Sequence, residues 1–315
     1  MKNSRKNILC TIFLFCLTGC FLFHAEKTGE FAYIGLETWY EQMIISLFPF
    51  MVLMNLLIKT GLSDYFIKPF YIVLRPFFRN TPEAIFVIFF GFLCGFPLGA
   101  KCAVDLYKQG KLSKENAQYL VSFSNNPGPA YMLGFFMGKI RPDCSVFYAL
   151  FVLYGLPLLY GLVLRYTVYK KILDNEYKTA LNKSRNTSFV NLLNVLPDVI
   201  HDSLIQIAML GGYMILFNAL RIIPHLLFRN MTGLYIAAQS LIEISGGLLC
   251  VNTISPQNTL KTVVLFAVYS FNGLCCHFQT FSLLQNTPVS AQKYMLHKII
   301  LCSITILFVS FFIIR

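Results

Sequence analysis

The chain has 315 residues, 56% of them apolar and only 13% charged, with a formal net charge of +12 and a mean hydropathy of +0.62. Globular domains carry roughly a quarter charged residues, and apolar runs recur here at 8–23, 42–58, 84–100, 117–138, 145–164, 203–222, 231–251, 262–284 and 298–314. That excludes a soluble domain and makes the bilayer the solvent, where closed helices are the viable architecture. Lys and Arg fall between the runs, as membrane-flanking loops require, so the positive charge does not point to nucleic acid.

Met1 to Asn7 is basic and leads into an apolar stretch ending at Leu17-Thr18-Gly19-Cys20, which resembles a lipoprotein cleavage box. A cleaved signal would remove the first helix. Because the remainder is itself a membrane domain, residues 1–30 are read as an uncleaved transmembrane helix. Residues 31–165 then form a first repeat, 166–188 a cytoplasmic linker, 189–297 a second repeat, and 298–315 a C-terminal transmembrane helix.

The repeat shows in short matches that keep their order. Met51-Val52-Leu53-Met54-Asn55 recurs as Met214-Ile215-Leu216-Phe217-Asn218, and Phe78-Arg79-Asn80 as Phe228-Arg229-Asn230. Cys94-Gly95 falls opposite Ser245-Gly246, and Ser122-Phe123 opposite Ser270-Phe271. If every run from 84–100 onward spans, Lys and Arg divide equally between the two sides. If the segments 82–101 and 231–256 are re-entrant hairpins, the inside carries more than twice as many as the outside. The positive-inside rule selects the hairpins. They then enter from opposite sides, so the two halves are inverted, as in many secondary transporters. The expected fold is all-α, with about seven spanning helices and two re-entrant helical hairpins.

Polarity and broken backbone coincide in four places. Gly91, Gly95, Pro97 and Gly99 interrupt the first hairpin. Ser122, Asn125 and Asn126 share one helical face before Pro127-Gly128-Pro129, and Pro127 disfavours helix at Asn126. The second hairpin holds Glu243, Ser245 and Gly246. In the next run Asn272-Gly273 offers a break beside His277. Glu243 is a carboxylate deep in an apolar run, at a cost of at least about 2.5 kcal/mol if charged, so it is neutral, paired or functional. His277 is either a proton relay or simply hydrogen-bonded. Lys101 either faces an anionic ligand group or snorkels to the interface. The candidate substrate-binding set is Gly95, Gly99, Lys101, Ser122, Asn125, Asn126, Glu243, Ser245, Asn272 and His277.

The ten cysteines form no CxxC pair and lie mostly in apolar runs, where they read as small hydrophobes. No nucleophile elbow, Walker loop, HExxH or Rossmann glycine pattern occurs, so no enzymatic activity, cofactor or metal is expected.

Gly91-Phe92-Leu93-Cys94-Gly95-Phe96-Pro97-Leu98-Gly99-Ala100-Lys101, followed by Leu120-Val121-Ser122-Phe123-Ser124-Asn125-Asn126, resembles the nucleoside-recognition (Gate) family, and more narrowly the YlbJ-type sporulation integral membrane proteins. Gly35 to Trp39 ahead of Ser46 to Phe50, and Ser270 to Leu274 with His277 and Gln279, fit the same pattern over roughly residues 30 to 285. The resemblance implies an inverted-repeat core similar to concentrative nucleoside transporters. It further implies a role in spore formation, moving dipicolinic acid out of the mother cell across the outer forespore membrane. Asn126-Pro127-Gly128-Pro129 departs from the pattern, and the chain is short. The partners expected are a small anionic solute and membrane lipids, not nucleic acid, with homo-oligomerisation allowed. The alternatives are a nucleoside-type transporter and a non-transporting sporulation scaffold.

Overall fold

The computed structural model describes residues 2–181, 192–254 and 259–313, and among them every regular element is a helix. Helix α1 (Lys2–Phe23) stands apart, its span from Lys6 to Phe23 wholly unburied. An apolar helix without protein cover is stable only in lipid. Leu17 to Cys20 lies within it.

Two long helices form the spine. Helix α2 (Ala25–Thr60) is continuous through a π-helical stretch at Trp39–Ile44 and through Pro49. At 1.5 Å per residue its 36 residues reach about 54 Å, well beyond the bilayer core. Its mate α10 (Leu192–Phe228) is equally long and bends at Arg221. The two run antiparallel. Gly35 rests on the Met214 backbone, Trp39 Nε1 donates to the Ile207 carbonyl at 2.8 Å, Asn55 donates to Ser203 at 3.0 Å, and Lys59 pairs with Asp202 at 2.7 Å. A side chain at Gly35 or Gly211 would overlap Met214 or the Trp39 ring, so both positions need glycine.

After the first spine helix come a short helix, a helical hairpin, a broken helix and a long closing helix; after the second, whose last turns Ile222–Phe228 stand in for the short helix, the rest of the series recurs. In the first half these are α3 (Ser63–Phe78), α4 (Pro82–Leu93) with α5 (Leu98–Lys108), α6 (Lys114–Val121) with α7, and α8 (Val146–Tyr166). Helix α7 opens at Pro129–Tyr131 and continues as π-helix over Met132–Ile140. Polar α9 (Lys170–Leu181) leads toward the second half. There the series is α11 (Thr232–Ile242) with α12 (Ile244–Ile254), α13 (Thr259–Phe271) with α14 (Gly273–Leu284), and α15 (Ala291–Ile313). Starts carry ordinary caps: Thr81 accepts from Ala84 N with Pro82 at the first helical position, and Ser113 accepts from Asn116 N.

Three boundaries differ from expectation. Six helices among the described residues are long and apolar enough to cross a membrane, not about seven, because the run 117–138 is cut at 122–128 by Pro127 and Pro129. The first hairpin continues to Lys108 rather than ending at 101, since Pro97 starts a helix instead of stopping one. The last helix begins at Ala291, not 298, because Ser290 caps it, accepting from Lys293 N at 3.3 Å. The linker expected at 166–188 is helical over Lys170–Leu181, and its remainder lies outside the described residues. Fully buried Arg165 ties this helix down by donating to the Phe78 and Arg79 carbonyls and to Asp174 at 2.6 Å. That contact holds the Asp174 carboxyl below its usual range.

Candidate functional site

The first hairpin lies directly on the first break. Gly91 and Gly99 straddle the Ser124 carbonyl, and a Cβ on either would overlap it. Gly95, in the left-handed region at φ +82°, meets Gly128 backbone to backbone. Such contact lets the hairpin supply the unwound strand with partners. Phe96 N donates to the Asn126 carbonyl at 2.6 Å, and Ala100 N to Asn125 Oδ1 at 3.3 Å. Gly95 and Gly99 therefore contribute shape rather than chemistry.

The second hairpin turns on Glu243 alone. It is extended (φ −147°, ψ 135°), 1% exposed, and its Oε2 accepts from Gly246 N at 2.8 Å, so the carboxylate caps α12. Beyond Gly246 lies buried Arg221, which donates to Gln239 Oε1 (2.6 Å), Asn218 Oδ1 (3.0 Å) and the Gly246 carbonyl (3.0 Å). Ser245 Oγ and the Tyr131 hydroxyl share a hydrogen bond at 3.0 Å, linking this tip to α7.

Between these tips and the two breaks is a narrow cavity. Its lining is mostly apolar, with polar groups from Tyr131, Glu243, Ser245 and Gln279, and Pro127-Gly128 forms part of its wall. Gln279 Oε1 is buried without a hydrogen-bond partner among the described residues. A still smaller space shares Pro127 with it and is lined by Asn126, Tyr269, Ser270, Asn272 and Thr305.

One residue at the junction was not singled out from the sequence. The Lys298 side chain enters from α15, is 1% exposed, and donates to Asn126 Oδ1 at 2.7 Å. With its amide turned so that both ends are satisfied, Asn272 accepts from Lys298 Nζ at 2.9 Å and donates to the Tyr269 carbonyl at 2.6 Å. The Lys298 amine thus joins the two breaks, one from each half, and among the described residues no carboxylate pairs with it. Asn272 reaches this place because it and Gly273 take positive φ (76° and 72°), where Asn and Gly are the tolerant residues.

The other candidates divide. Asn125 donates to Thr280 Oγ1 at 2.9 Å and approaches the Tyr294 hydroxyl, which is 3.1 Å from His277 Nδ1, so these join one network. His277 Nε2 is buried without a partner among the described residues. Ser122 turns back onto the Gln118 carbonyl at 2.7 Å. Lys101 sits in the first turn of α5, half-buried, and pairs with Asp105 one turn on. Arg221 was not singled out either, although a lone cation in an apolar stretch could have marked it, whereas Lys298 opens the run 298–314 and reads there as an edge charge. No group of three or more His, Cys, Asp or Glu side chains that could hold a metal forms among the described residues.

Glu243→Gln keeps the cap on Gly246, because an amide oxygen also accepts. It is expected to preserve membrane insertion and the fold. Quantitative blotting beside thermal unfolding checks this. Loss from the membrane would show that the negative charge itself holds the hairpin.

Neither a protein-family model nor a solved structure matches the chain. Among curated proteins, it is 26% identical to the sporulation integral membrane protein YlbJ of Bacillus subtilis (strain 168), over 95% of this chain and 81% of that protein. The chain is accordingly an all-helical, multi-pass membrane protein similar to a sporulation integral membrane protein.

Proposed function

We propose that this protein is a transporter of a small organic anion, of which dipicolinate in the mother cell of a sporulating bacterium is the best-fitting substrate. The observation that carries the reading is Lys298. Holding this amine charged costs several kcal/mol of desolvation, and it meets only two neutral amides beside a small cavity. A carboxylate ligand would supply the missing counter-charge. Charged groups at membrane depth are functional by default, and a scaffold has no use for one. Lys298 replaces Lys101 as the cation of the site, since Lys101 already has Asp105. Helix α14 starts at the same cavity with no side-chain cap, and its N-terminus favours negative charge.

An inverted repeat, of the kind found in concentrative nucleoside transporters, completes the proposal. It is supported by the recurring element series and by the antiparallel packing of equivalent helices α2 and α10. Two halves rocking about a midplane site provide alternating access. The N-terminus and α9 face the cytoplasm in this scheme, and the 139–144 loop faces outward. A thiol introduced as Lys178→Cys in a cysteine-free background should resist impermeant reagent in intact cells, while Arg141→Cys reacts. Labelling at 178 would reverse the topology.

Dianionic, planar dipicolinate at neutral pH suits a site beside the Lys298 amine and the uncapped α14 N-terminus. Purified protein titrated with dipicolinate and with uridine distinguishes the anion reading from a nucleoside reading. Dipicolinate is expected to raise the unfolding temperature and uridine to leave it unchanged. The reverse order would favour a nucleoside-type transporter, and no response to either would favour a scaffold.

A further inference from the structure

Helix α3 is too short to cross a membrane, having 16 residues interrupted by Pro69 and Pro76. It spans about 24 Å against a hydrocarbon core of about 30 Å. At 100° per residue, Tyr65, Ile72, Val73 and Phe77 fall on its outer side, with Ile72 66% and Val73 65% exposed. Lys68 and Arg75, seven residues apart, form a cationic strip along one flank. An apolar face with a basic edge is the pattern of a helix lying in the headgroup plane.

Helix α9 closes the basic edge into a groove. Arg75 Nε donates to the Tyr177 hydroxyl at 2.5 Å, and the guanidinium stacks over the Tyr71 and Tyr177 rings. Arg79 follows with its backbone left-handed at φ +41°, and Lys178 projects from the opposite wall. The groove is open and has a volume of about 830 Å³, lined by these residues with Ile72, Pro76 and Asp174. Asp174 is already held by Arg165, and no carboxylate among the described residues pairs with Arg79 or Lys178. Three cations therefore face a space whose one acid is taken.

We propose that this groove binds the phosphodiester headgroup of an anionic phospholipid, such as phosphatidylglycerol, and that the bound lipid pins α9 against α3. Charge complementarity sets the sign of the ligand. Its lipid nature follows from continuity: Ile72 both lines the groove and opens onto the exposed apolar face, so acyl chains continue where the headgroup ends. The proposal does not depend on transport.

The test is native mass spectrometry of delipidated protein titrated with dioleoylphosphatidylglycerol or dioleoylphosphatidylcholine. The wild type should retain phosphatidylglycerol preferentially. Arg75→Gln/Arg79→Asn/Lys178→Gln should bind it at least about tenfold more weakly, since each basic group near an anionic surface contributes roughly fivefold. Asn tolerates left-handed backbone, so Arg79→Asn alone should fold and still lose about fivefold. The charge-matched variant Lys108→Gln/Lys111→Gln/Lys114→Gln should stay within about twofold of wild type, because these lysines lie outside the groove. Unchanged phosphatidylglycerol binding in the groove variants overturns the proposal, as does an equal loss in the charge-matched control. Displacement of the lipid by free glycerol 3-phosphate at equal concentration would assign the groove to a soluble phosphate instead.

Discussion

Lys298→Met is expected to lower anion flux by about ten- to a hundredfold while leaving the protein folded and no less stable. The flux loss is that of one hydrogen bond to a charged group, about 1.5–3 kcal/mol. The stability outcome follows from what the ammonium lacks. Replacing a buried ion by an apolar side chain of similar length is often neutral, or stabilising by about 1–4 kcal/mol, and here the ammonium has no ionised partner to strand among the described residues. Asn126 and Asn272 lose one acceptor contact each, which offsets part of that gain. Lys298→Arg, which keeps the charge, should recover part of the flux. If Lys298→Met instead lowers the unfolding temperature with flux per folded molecule unchanged, the residue merely fastens the two breaks together.

Gly95→Ala is expected to destabilise the protein by about 2–5 kcal/mol, with a sharp fall in monodisperse yield. A side chain in the left-handed region costs roughly 1–2 kcal/mol, and forcing atoms into packed space adds typically 1–3 kcal/mol. At Gly95 the new atom would overlap the Gly128 backbone, which cannot rotate away as a side chain could. Gly99→Ala meets the Ser124 carbonyl and should behave alike without the φ penalty. Gly212→Ala has open space around it and should be neutral or stabilising, serving as the control. Thermal unfolding followed by size-exclusion fluorescence separates the three. A Gly95→Ala protein as stable as wild type would mean that the hairpin does not lie on the break.

These positions show what a membrane sequence makes legible. Gly91, Gly95, Pro97 and Gly99 announce the first hairpin because so many helix breakers in an apolar run demand a turn. Pro127-Gly128-Pro129 announces the break for the same reason, and Glu243 stands out by charge alone. All three signals are local. The partnership of Lys298 with Asn126 and Asn272 joins residues far apart in sequence. It was hidden further because hydropathy starts the last span at 298, whereas the Ser290 cap starts it earlier and carries Lys298 two turns inward. The ion pair of Lys101 with Asp105 was readable as an i, i+4 neighbour once α5 was known to run on to Lys108. Arg221 illustrates the opposite case: its charge was visible, but its role in clasping the second hairpin through Gly246 depends on tertiary packing.

Flux of radiolabelled dipicolinate in proteoliposomes tests the transport reading most directly. Vesicles containing the wild-type protein should exchange internal unlabelled for external labelled dipicolinate much faster than protein-free vesicles, and excess unlabelled dipicolinate should compete while uridine does not. Exchange no faster than in protein-free vesicles, with protein shown to be folded and inserted, would contradict dipicolinate transport.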